Sequence, residues 1–72
     1  VLFVLMNTQQ ISEVIKARRK VLGIDQRALS EISGVAVHTL SNIEAGTGNP
    51  TVRSLNKVLA ALGMELRVEV QQ

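Results

Sequence analysis

Apolar residues recur along most of this chain at intervals of three and four, the repeat that gathers them on one side of an α-helix. Ile11, Val14, Ile15, Val21 and Leu22 define the first such face. Asn7 is placed to cap that helix, with Gln10 three residues on as its capping-box partner. Lys16, Arg18, Arg19 and Lys20 crowd its last turns, where cations complement the helix dipole, and Gly23 supplies the left-handed end. Asp25 caps a second helix that runs to about Ser33 and stops at Gly34. A third covers about Val37–Ala45 and stops at Gly46. Thr47-Gly48-Asn49-Pro50 reads as a loop by composition. Thr51 caps a fourth helix whose Val52, Leu55, Val58, Leu59 and Leu62 form the next stripe, closed by Gly63.

The second and third helices are joined by a turn too tight to hide more than apolar side chains. Leu29 and Ile32 are expected to face inward before it, Val35 within it, and Leu40 and Ile43 after it. That leaves Val37, His38, Thr39, Ser41 and Asn42 on the early and outward positions of the third helix. The set is short, uncharged and rich in hydrogen-bonding groups, which suits a surface pressed against a partner with donors and acceptors. The pattern reads as a helix-turn-helix directed at DNA.

The two ends follow another rhythm. Met64, Leu66, Val68 and Val70 alternate with Glu65, Arg67 and Glu69 over Met64–Val70, the period of a half-buried strand. Such a strand needs a partner for its backbone groups. The candidates are residues 1–6 of the same chain, the same strand of a second subunit in an antiparallel two-fold pair, or both. Residues 1–6, VLFVLM, are an unbroken apolar run far shorter than the roughly 20 residues that span a bilayer, without the basic flank and cleavage site of a signal peptide. They are a short strand, a translated extension ahead of a start at Met6, or a sticky dimerisation arm; the strand is favoured.

Seventy-two residues, 46% of them hydrophobic, are enough for one small folded domain. Its expected parts are an N-terminal arm at 1–6, the helix-turn-helix at 8–63 and a dimerisation strand at 64–70. With one aromatic residue, Phe3, the core must be aliphatic, and with no cysteine there are neither disulfides nor thiolate metal sites. His38 alone cannot build a metal site. Oligomerisation remains as the stabilising device of so small a domain, so a homodimer is expected.

The net charge is only +2, but residues 1–63 carry seven basic and four acidic side chains, hence +3, and residues 64–72 carry −1. A DNA footprint would therefore lie on the first part. Catalysis is not expected, and no cofactor: His38 has no Ser or Cys nucleophile in a recognisable arrangement, and there is no phosphate-cradling glycine loop. Glu65 and Glu69 fall on the wet face of the predicted strand.

Taken in order, DQRALSEISGV, HTLSNIEAG and NPTVRSLNKVLAALG, within Ile15–Met64, resemble the helix-turn-helix family of the phage Cro and C1 repressors, the XRE family. The match covers about 50 residues without a gap. The tail further resembles the HipB-like antitoxin branch, where such a segment joins two subunits. The resemblance implies a mainly α, four-helix lambda-repressor-like domain with a C-terminal strand, and a sequence-specific repressor that binds a palindromic operator in double-stranded DNA. Its setting would be the bacterial or phage cytoplasm, not a membrane, with a toxin protein as second partner on the antitoxin branch.

The family places its third helix in the major groove, so Val37, His38, Thr39 and Asn42 would face base edges. General chemistry agrees, since Asn pairs bidentately with adenine and Val meets a thymine methyl. Gln26 matches the position that holds a phosphate at the start of the second helix, although the Asp25 carboxylate lies close to it. Thr47, Asn49 and Arg53 would meet phosphates after the third helix, with Ser41 added to the same set. Arg27, Lys57 and the run Arg18–Lys20 are outer contacts or ordinary solvated charges. Arg19 and Glu44 match a structural ion pair between the first and third helices. Two departures stand out: Ala36 replaces the usual Ser or Thr cap of the third helix, and that helix has no Arg or Lys. A protein-interaction module that neutralises or scaffolds a partner, with little DNA binding, is the rival function.

Overall fold

The computed structural model describes Leu2–Phe3 and residues 8–67. Four helices carry the fold: α1 (Thr8–Val21), α2 (Gln26–Ser33), α3 (Val37–Ala45) and α4 (Val52–Ala61). Asn7, the expected cap of α1, lies outside the described residues. Asp25 caps α2 through its side chain, which accepts from the Ala28 N–H at 2.8 Å. Thr51 does the same for α4 toward Ser54 at 3.0 Å. Each cap satisfies an amide that the helix itself leaves unpaired.

The ends of α1, α3 and α4 share one device. In α3 the Gly46 N–H donates to the Ile43 carbonyl at 3.1 Å and the Thr47 N–H to the Asn42 carbonyl at 2.9 Å. This is the pair of bonds that reverses a chain through a left-handed residue. Gly46 has φ 73°, and a Cβ there would stand 2.8 Å from Gln9 Oε1 on α1. The glycine thus serves the left-handed turn, and the Gln9 side chain fills the space beside it.

α3 packs on α1 and α2, and α2 also packs on α4. Their shared core is Ile15, Leu29, Val35, Leu40, Ile43, Val58, Leu59 and Leu62, all buried, with Ile11, Val14, Ile24, Leu55 and Met64 partly buried against it. Four residues expected inside are not. Ile32 is 62% exposed, Val21 75% and Val52 62%, and Leu22 is also exposed. In α2 the half-buried companion of Leu29 is Ser33, one turn on at four residues, so Ile32 at three residues swings out. Val21 stands about 120° round α1 from Ile15. Leu22 follows the last residue of α1 and Val52 is the first of α4, so both sit at helix ends.

The tail meets its expectation only in part: it pairs with the N-terminal segment of the same chain, one of the partners foreseen, but over two residues. Leu2–Phe3 (β1) and Leu66–Arg67 (β2) pair in parallel, Leu2 opposite Leu66 and Phe3 opposite Arg67. This is a two-residue ladder within one chain, so a strand over Met64–Val70 that joins subunits is not supported. Met64 and Glu65 are not in a strand, and residues 68–70 lie outside the described ones. No described helix is long and apolar enough to cross a membrane.

Candidate nucleic-acid interface

Burial of Leu40 and Ile43 fixes the rotation of α3, and everything else about its outer face follows. At about 100° per residue, the outward arc carries Val37, Ser41, His38, Asn42 and Thr39 in that order around the axis. Val37 is 41% exposed, an apolar side chain held in water. His38 and Asn42 are exposed and Thr39 is half-buried. His38, Thr39 and Asn42 share a cleft of about 200 Å³ with Thr47, Gly48 and Asn49 of the following loop. No Asp, Glu, Lys or Arg lines it. Five expected contact residues, His38, Thr39, Asn42, Thr47 and Asn49, therefore meet at one place, while Val37 stands outside the cleft on the opposite flank of His38.

The expected phosphate residues sort differently. The Ser41 hydroxyl donates to Gln26 Oε1 at 2.8 Å and ties α3 to the first turn of α2. That bond engages the oxygen of the Gln26 amide; the donor end, Nε2, is the kind of group a phosphate accepts from. The Thr47 hydroxyl turns back on the Asn42 carbonyl at 3.4 Å. Arg27 and Arg53 are exposed on the first turns of α2 and α4, away from the cleft.

Glu44, the acidic residue of α3, is turned inward. Its two carboxylate oxygens accept from Arg19 Nε at 2.7 Å and Nη2 at 2.8 Å, while Arg19 Nη1 donates to the Ile24 carbonyl at 2.9 Å. The side chains are 13% and 3% exposed. The hydrogen bond to Glu44 holds the Arg19 pKa above the usual arginine range, against desolvation, with the charges of Glu44 and Asp25 adding to it. The outer face is thereby left without a carboxylate that would repel an anion.

Sequence reasoning missed two contacts. Arg18 Nε donates to the Leu62 carbonyl at 3.1 Å, which commits part of that basic run to the end of α4. The Ser41–Gln26 bond is the other. Neither has a local signal, since the partners are 44 and 15 residues apart.

A profile of the Helix-turn-helix family matches residues 15–68. The chain belongs to that family, in its Cro/C1 (XRE) type. It is 41% identical over 58 residues to an uncharacterized HTH-type transcriptional regulator of Haemophilus influenzae, covering 81% of this chain. The chain spans only 58% of that relative's length. Within the family's frame, α2 and α3 are the helix-turn-helix pair, Gly34 is the left-handed residue between them at φ 76°, and the cleft lies along the second helix.

Proposed function

We propose that this chain is a sequence-specific DNA-binding transcriptional regulator, a repressor that sets α3 in the major groove of a palindromic operator. The observation that carries the reading is the outer face of α3: exposed, uncharged, rich in donors and acceptors, and continuous with a polar cleft. The H. influenzae relative's printed name, an HTH-type transcriptional regulator, points the same way. Base edges would be met by Val37, His38, Thr39 and Asn42. Phosphates would be met by Gln26, Arg27, Thr47, Asn49 and Arg53, with Ser41 acting at the phosphates through its hold on Gln26.

A homodimer sets two such helices on half-sites about 34 Å apart, and it answers the thin charge of a single face. β2 has a neighbour on one side only among the described residues, so its free edge is a template for a partner's strand. The edge of β2, Leu66–Arg67, is therefore the proposed dimer contact, in the manner of the antitoxin branch, in the cytoplasm of a bacterium or phage host. On that branch a toxin protein is a second partner. An interaction module that neutralises or scaffolds a partner, with little DNA binding, is the alternative reading.

Electrophoretic mobility shift with duplexes from upstream of the gene, at two salt concentrations, tests the reading. Saturable, salt-sensitive binding that survives excess random-sequence competitor is expected. Binding that any sequence competes away equally, beside a stable complex with a neighbouring gene's product, would instead select the interaction module.

A further inference from the structure

The chemistry of the α3 face narrows the DNA it can read. Guanine is most often recognised by the forked or multiple donors of Arg or Lys on its O6 and N7. α3 has neither residue over Val37–Ala45, and the cations nearest in sequence, Arg27 and Arg53, stand at the starts of other helices. Val37 and Asn42 remain as the strongest discriminators. Val37 is an exposed methyl-bearing group on the outward arc of α3, and the major-groove feature that rewards it is the thymine C5-methyl. Asn42 is exposed beside Gly48, where a Cβ would stand 3.6 Å from the Asn42 Cβ. Its backbone carbonyl is occupied by Thr47, and its side-chain amide faces the cleft with one donor and one acceptor, the pair that adenine N7 and N6 complement.

We infer that each half-site holds two A·T pairs, one placing a thymine methyl on Val37 and the other an adenine edge on Asn42. This deepens the DNA-reading proposal and rests on it. The two side chains are five residues apart, a rise of about 7.5 Å, and stand about 140° apart around the axis with His38 between them. They therefore address different base pairs, with His38 between them on the arc.

The test is selection of binding duplexes from a randomised pool by the full chain, followed by atom-level substitution in the selected duplex. Replacement of each thymine by uracil removes only the methyl, and replacement of each adenine by 7-deazaadenine removes only the N7 acceptor. At one thymine per half-site, uracil is expected to weaken binding about four-fold, the contribution of one buried methyl. Val37→Ala is expected to bind more weakly and to ignore that uracil. At one adenine in a different base pair, 7-deazaadenine is expected to cost about ten-fold, and Asn42→Ala is expected to be blind to it. Enriched duplexes with G·C at these positions, or wild-type and variant proteins equally sensitive to the replacements, would overturn the inference while leaving DNA binding intact. A pool with no enriched sequence would remove the DNA-reading proposal itself.

Discussion

Arg19 makes three hydrogen bonds, two to Glu44 and one to the Ile24 carbonyl, and so couples α1, α3 and the α1–α2 turn through one planar group. Glu44 is the more deeply covered partner, so removal of the arginine leaves a carboxylate where water cannot reach it well. Losing one member of a buried pair costs about 3 kcal/mol or more, and in a domain of this size each kcal/mol moves Tm by about 4–8 °C. Arg19→Ala is therefore expected to lower the thermal midpoint by more than about 10 °C in a melt followed by circular dichroism. Arg19→Lys keeps the charge but not the fork, and should recover less than half of that loss. Because the Arg19 pKa is raised, its contribution is complete below the unfolded arginine value and is lost only as pH rises through the still higher folded one. From the arginine's side, the deficit of Arg19→Ala should be the same at neutral and mildly alkaline pH. An unshifted midpoint would mean that the pair contributes nothing. The Arg19–Glu44 pair was legible in the sequence only through the family resemblance. Ser41's grip on Gln26 was not legible at all, because a serine on an outward helical position carries no mark of which neighbour it will meet.

At the scale of elements, the four helices were legible because their signals are local: apolar residues at three and four, Asp25 and Thr51 at the starts, glycines after the ends. What failed was the orientation of residues at helix ends. Val21, Leu22 and Val52 fit an apolar stripe by spacing, yet burial depends on whether a neighbouring helix extends that far, which no local pattern encodes. The tail failed for a related reason. Alternation over Met64–Val70 promises a strand, but a strand exists only with a partner, and the described pairing is two residues long, parallel and in the same chain. The missing cap of α3 offers a direct test of the local rules. Ala36 is exposed, with φ −59° and ψ 147°, and makes no side-chain cap bond. A hydroxyl there can accept from the Thr39 amide without disturbing the turn. Ala36→Ser is expected to add about 1 kcal/mol and to raise the melting midpoint by about 4–8 °C. A midpoint that fell would show that this amide already has a better arrangement.

For the molecule as a whole, the question is how so modest a charge holds DNA. Arg19 is consumed by Glu44 and Arg18 bonds the end of α4, so the basic run of α1 contributes less than its composition suggests. The proposed phosphate contacts of each protomer include only two cations, Arg27 and Arg53; the others are amides and hydroxyls, which release no counterions. Each neutralised phosphate contributes about −0.9 to the slope of log affinity against log salt. A dimer on a full operator should therefore show a slope of about −4, and a monomer on one half-site about −2. Arg27→Ala separates the two cases, because it removes two contacts from a dimer and one from a monomer. Fluorescence anisotropy titrations over a range of salt should find the slope shallower by about 2 for the dimer, with the preference among duplex sequences unchanged, since a phosphate contact carries no base information. A change of about 1 would place a single protomer on the DNA. An unchanged slope would remove Arg27 from the interface and shift the charge of binding to Lys16, Arg18, Lys20 or Lys57, further exposed cations among the described residues.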